Sequence, residues 1–251
     1  MSTNFLKLND DKTEYLLISS PTVQAKISDN IDISIGDVSV EPVKTARNIC
    51  VIFDSHLNLE SHVNNVCKLC YYHLRNISKI RNHLSTDAIQ TLISTLIISR
   101  LDSCNSLLIG LPCRTIDKLQ KVQNSAARLI TRTEYNEHIA PILFELHWLP
   151  IVFRIKYKIL LLTFKCFNGM APFYLSCLLD IYKPSRTLRS SRDNFLSTEK
   201  RVNLLSYGER SFSFQAPKQW NLLPFSIRSC TSLTTFKSKL KTFLFQEAFN
   251  C

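Results

Sequence analysis

The stretch Leu59-Glu-Ser-His-Val63-Asn-Asn-Val66-Cys67-Lys68-Leu69-Cys70-Tyr71-Tyr72 decides how the chain is read. Leu59, Val63, Val66, Leu69 and Tyr72 recur at intervals of three and four, which is one face of an α-helix. Lys68, Arg75 and Lys79 fall on the opposite face. The helical pattern continues downstream. Ser85 or Thr86 is placed to cap a helix running to about Cys104, with Ile89, Leu92, Ile93, Leu96 and Ile97 for burial. Gly110-Leu-Pro112 breaks the chain, and Thr115 caps a helix to about Thr131 with Ile116, Leu119, Val122 and Ala126 inward. A short helix starts near Pro141, where proline suits a first turn. Residues 151–168 form a long helix ending at Asn168-Gly169, and Pro172 opens another to about Leu179. Residues 182–217 read as polar, basic and irregular. Trp220 to Leu223 and Phe225 to Ile227 make an apolar knot around Pro224. Ser232 begins a last amphipathic helix with Leu233, Phe236, Leu240, Phe243 and Leu244 on one face and Lys237, Lys239 and Lys241 elsewhere.

Upstream of Leu59 the period changes. Asn9-Asp10-Asp11 is turn chemistry, and Thr13 to Ile18 reads as a buried strand. Val23 to Ile27 and Ile31 to Ile35 alternate weakly around Ser28-Asp29-Asn30, Gly36-Asp37 makes a second turn, and Ala46 to Phe53 is a further run of strand length. Residues 1–55 are therefore expected to form a small antiparallel sheet, with too few strands to stand alone. The fold class is α+β, mainly α.

Charge is unevenly spread. Residues 1–60 hold 5 Lys/Arg and 9 Asp/Glu, a balance of −4, whereas residues 61–251 hold 26 and 11, a balance of +15. A basic body below a mildly acidic head points to a polyanionic partner. Only 4 glycines in 251 residues argue against a loop-rich β fold or a disordered chain. Nine cysteines set among apolar residues, without an apolar leader after Met1, suit reduced thiols in a nuclear or cytoplasmic protein that is not secreted. The longest apolar run, Ile151 to Phe167, is interrupted by Arg154, Lys156, Lys158 and Lys165, so no membrane partner is expected. Cys67-x-x-Cys70 lies inside a helix, with His73 near and no second cysteine pair. It reads as buried helix cysteines rather than a zinc site, so neither metal nor cofactor is expected.

Five stretches together resemble the C-terminal part of the reverse transcriptase of non-LTR (LINE-type, jockey-like) retrotransposons. They are Leu6 to Ile18; Ala46-Arg-Asn-Ile-Cys-Val-Ile-Phe-Asp54; Arg100-Leu-Asp-Ser-Cys-Asn105 with Leu107 to Pro112 and Lys118 to Arg128; His138 to Leu143 with Leu146-His-Trp-Leu-Pro150; and Tyr207 to Ser213 with Ala216-Pro-Lys-Gln-Trp-Asn-Leu-Leu-Pro224 and Phe236 to Lys241. They keep the family's order over about residues 5–246. The resemblance implies a partial palm at 1–56 (motif D and motif E, with Lys12 at the motif D lysine), a thumb-like helical region at 57–132, a helical connector at 133–181, and a basic irregular segment with a C-terminal helix at 182–251. Cys50 stands where the family favours a glycine that permits a tight backbone path.

The family's metal-binding aspartates would lie upstream of residue 1, and two-metal polymerisation needs carboxylates to hold the ions. Asp10-Asp11 reads instead as a solvated turn. The expectation is a truncated, non-enzymatic remnant of an RNA-directed DNA polymerase that binds RNA or DNA without sequence preference. The thumb-like helices offer Lys68, Arg75, Lys79, Lys118, Lys121 and Arg128 to phosphates. Lys183, Arg186, Arg189 and Arg192, interleaved with Tyr182 and Phe195, suit a single strand. An unpaired sheet edge would favour self-association. Two other readings stay open: a reused host protein acting by protein–protein contact, and a fragment of a longer active polymerase.

Overall fold

The computed structural model describes residues 9, 12–24, 26, 33–35, 38–182, 194–198 and 205–250. The chain forms two compact units, Met1–Asn65 and Val66–Cys251, and the division falls within a helix. The described residues are mainly helical, with two small antiparallel ladders, which gives the α+β, mainly α class.

The first unit holds a helical turn, α1 (Pro21–Gln24), then β1 (Ile33–Ile35) paired with β2 (Val38–Val40), and β3 (Thr45–Asn48) paired with β4 (Val51–Asp54). The expected single sheet is thus two separate hairpins. Thr13 to Ile18 forms no strand: Tyr15 makes one isolated bridge to Pro42, and Ile18 is exposed. Val23 lies in α1 rather than in a strand. Ala46 to Phe53 is not one strand but a fold-back, because Ile49 takes a left-handed backbone (φ 54°) at the turn. The left-handed residue is Ile49, not Cys50, and its side chain is 87% exposed. Asp54 closes this hairpin. Its buried carboxylate accepts N–H bonds from His56 (3.1 Å), Asn58 (3.0 Å) and Leu59 (2.7 Å), holding the turn that leads into the next helix. Among the described strands each ladder has two members, so every strand keeps one edge unpaired.

Helix α2 (Glu60–Ile80) is long, and its buried positions are His62, Val63, Cys70, Leu74 and Ile77. This corrects the expected face. Steps of three residues turn about 300°, so the row Val63, Val66, Leu69, Tyr72 precesses around the helix. Tyr72 is nine residues from Val63, about half a turn away. It is accordingly 60% exposed.

Ser85 caps α3 (Thr86–Ile93), accepting from the Ala88 N–H at 3.2 Å. The helix then widens through a π turn at Ser94–Ile98 before α4 (Ser99–Asp102). Thr91, Thr95 and Ser99 each donate a hydroxyl back to the carbonyl four residues earlier, a ladder that loosens one side of a helix. Helix α5 (Cys113–Thr131) begins with Pro112 at its cap. Thr115, expected as the cap, is instead buried inside the helix, while Ile116, Leu119, Val122 and Ala126 face inward as read. Arg81, just past α2, donates to Leu129 O (2.6 Å) and Ile130 O (3.2 Å) and so closes the end of α5.

After α6 (Ile139–Glu145), helix α7 (Ile151–Phe167) runs through the second unit. It is buried on two sides. Leu160 and Phe164 enter a core with Trp220, Phe236, Leu240 and Leu244, where the Phe164 and Phe236 rings stack at 4.1 Å. Ile151, Ile155 and Ile159 occupy the other side, and α4, α5 and the short 3-10 turn Asn105–Leu108 also touch α7. Gly169 (φ 67°) and the Met170 N–H to Lys165 O bond (2.8 Å) end it where the sequence indicates. The chain continues through α8 (Phe173–Ser176), α9 (Leu205–Gly208), α10 (Phe212–Asn221), α11 (Phe225–Arg228) and α12 (Leu233–Phe249). Residues 205–208 and 212–217 are therefore helical where irregular chain was expected.

The core assignment makes two opposite expectations. Phe164→Ala should cost about 3–5 kcal/mol in urea unfolding, as for a fully buried aromatic. Tyr72→Ala should change stability by less than about 0.5 kcal/mol, as for an exposed surface residue.

Candidate nucleic-acid interface

On α2 the residues Lys68, Tyr72, Arg75 and Lys79 follow one another at steps of four, three and four. At about 100° per residue they fall within about 60° of the helix circumference, opposite the buried row. All four are exposed. The three cations have no ion pair or hydrogen bond to other described residues. From Lys68 to Lys79 the line is about 16 Å long. It is a row of exposed positive charges along the helix axis with one aromatic ring among them. Tyr72 belongs to this row, although sequence reading placed it inward. A helical wheel extended from Cys70, Leu74 and Ile77 would have found it.

On α5 the expected residues separate into different roles. Lys121 is exposed and without a partner among the described residues. Lys118 is half-buried, already engaged, and close enough to Cys67 on α2 to act on its thiol. Arg128 is committed to the loop that follows. Its Nε donates to Glu134 O (3.2 Å), its Nη2 to Glu137 O (2.9 Å), and the guanidinium lies 5.4 Å from the centre of the Tyr135 ring. These two bonds use two of its five N–H donors and fix the guanidinium toward the loop, leaving three for other acceptors. Lys183, Arg186, Arg189 and Arg192 lie outside the described residues, as do Asp10 and Asp11. Lys12 is exposed, in a turn where its N–H meets Asn9 O at 3.2 Å.

The motif around Trp220 has a structural task. Trp220 Nε1 donates to Asn194 O at 2.8 Å. Asn221 pairs with the backbone of Leu196 as a strand would, accepting from its N–H (3.0 Å) and donating to its carbonyl (2.8 Å). Leu196 bridges Ile181, and Arg228 stacks 3.8 Å over Phe195. These contacts hold residues 194–197 against the helical core.

Cys67 and Cys70 sit one turn apart on α2, and among the described residues no group of three or more His, Cys, Asp or Glu is arranged to hold a metal. Burial and the neighbouring Cys67 push the Cys70 thiol up to about 12, with Arg100 working weakly against them. A thiolate is what metals and electrophiles require. No described helix is long and apolar enough to cross a membrane.

No protein-family model, curated protein or solved structure matches this chain.

The raised Cys70 thiol has a measurable consequence. Its folded value of about 12 lies above the ordinary 9.0 of the unfolded chain, so the folded state holds the proton longer. That contribution is present below pH 9 and is lost as pH climbs toward 12. The urea midpoint should fall over that window, and Cys70→Ala should flatten the fall. A pH-independent midpoint would contradict the assignment.

Proposed function

We propose that this chain is the post-catalytic part of a retrotransposon-type reverse transcriptase, acting as a non-enzymatic holder of RNA or DNA through the outer face of α2. Residues 1–56 correspond to the end of a palm, and the helices that follow to a thumb. The observation that carries the binding reading is the row Lys68, Tyr72, Arg75 and Lys79, exposed on one side of a 21-residue helix. Cations at helical spacing meet successive phosphates along a strand and give affinity without base readout. An exposed tyrosine among them can stack on an unpaired base, which is worth about 1–3 kcal/mol per base and tolerates any sequence. The excess of positive charge over residues 61–251 adds a steering field around that row.

The palm assignment rests on the order of the five sequence stretches. Strand β4 and all of β3 but Thr45 fall within the segment similar to motif E. Self-association through the free edges of β1–β4 belongs to the same proposal.

The test is filter retention of single-stranded and duplex RNA at several salt concentrations. Retention should fall steeply with salt and be indifferent to sequence. The triple variant Lys68→Glu, Arg75→Glu, Lys79→Glu should lower the slope of log K against log salt by about 2–3, since each phosphate contact contributes about 0.7–0.9. Retention that ignores both salt and the triple substitution would reject the reading.

A further inference from the structure

In the second unit the third and fourth sequence motifs meet in space. Arg154 on α7 donates Nη1 to Asp102 Oδ2 at 2.8 Å and Nε to Leu149 O at 2.9 Å. Asp102 follows Arg100-Leu101 in one motif, and Leu149 closes Leu146-His-Trp-Leu-Pro150 in the other. Beside this join lies a cleft of about 430 Å³. Its walls bring together Asp102 at the end of α4, Asn105 from the turn that follows, Arg154, Tyr157 and Lys158 from α7, and Lys241 from α12.

The charges do not balance. Asp102 neutralises Arg154, which leaves Lys158 and Lys241 uncompensated. Neither lysine has an ion pair or hydrogen bond to other described residues. A concave wall focuses the field of such cations and concentrates anions within it. Lys158 stands one turn beyond Arg154 on α7, so the guanidinium and that ammonium face the same side. Asn105 is 2% exposed, and its Nδ2 lies 3.4 Å from Asp102 Oδ1. Its Oδ1 is buried and has no donor.

The cleft volume lies in the range of small-molecule sites, about 300–1,000 Å³, and far exceeds a bare phosphate. The occupant it suits carries a dianion for the two lysines and a flat body to lie along Tyr157, which lines the cleft. We infer that this cleft binds a nucleoside monophosphate, free or as the 5′-phosphorylated end of a strand. The phosphate lies between Lys158 and Lys241 with Arg154 behind it, and the nucleoside lies along Tyr157. This site is separate from the α2 row and needs only one phosphate.

Isothermal titration of the full chain tests it, with AMP, adenosine, glucose 6-phosphate and a 5′-phosphorylated RNA hexamer as probes. AMP should bind saturably, and adenosine and glucose 6-phosphate about tenfold or more weakly. The double variant Lys158→Gln, Lys241→Gln, with an unchanged thermal melt, should weaken AMP by about tenfold or more. The triple α2 variant should bind AMP as the parent does, which separates this site from the proposed RNA surface. A hexamer that binds as AMP does places the strand end in the cleft, whereas AMP binding alone assigns it to the free nucleotide. No saturable AMP binding at millimolar concentration, equal AMP affinity in the double variant, or glucose 6-phosphate binding as tightly as AMP would overturn the inference.

Discussion

Two-sided burial of α7 is the constraint on which the second unit depends. A helix facing solvent on one side needs a single apolar stripe, but α7 spends two. Leu160 and Phe164 meet Trp220 and Phe236, and Ile151, Ile155 and Ile159 take the other side. The cations within this apolar run are therefore pushed to its margins. Arg154 and Lys156 are tied there to Asp102 and Glu247, at 2.8 Å and 2.7 Å. Partial exposure keeps each pair modest in energy. Their geometric effect is larger, because Arg154 joins the end of α4 to the loop before α7.

That arrangement explains which parts of the sequence were legible. Helices α5, α7 and α12, with long apolar patterns and clear boundary residues, could be read almost to their ends. Their apolar positions recur at three and four, although the fully buried rows Ile151, Ile155, Ile159 and Phe236, Leu240, Leu244 step by four and so turn slowly around the helix. The Asn168-Gly169 stop was equally clear, since glycine there supplies the left-handed residue the cap requires. The α2 face was misread because successive steps of three rotate away from the core. The same error hid the most informative residue of the candidate surface, Tyr72.

The N-terminal unit was harder for a different reason. Ala46 to Phe53 has the composition of one strand and no glycine, asparagine–glycine pair or proline to signal a turn. The fold-back occurs with a β-branched residue, Ile49, in a conformation it rarely takes. Asp54 then collects three backbone N–H groups from the turn that follows β4, a capping role that its place at the end of an apolar run does not announce. The ionic join of Asp102 and Arg154 likewise spans 52 positions and leaves no local trace. Arg128 shows the converse limit. Its sequence position suits phosphate, while its donors serve the carbonyls of Glu134 and Glu137.

The surface proposed to meet nucleic acid is the outer face of α2. Photo-crosslinking of the protein to RNA carrying 4-thiouridine, followed by peptide mapping, tests this most directly. Adducts concentrated within Glu60–Ile80, with Tyr72 the main modified residue, are the predicted result. Adducts that avoid this helix altogether, while RNA stays bound, would contradict it.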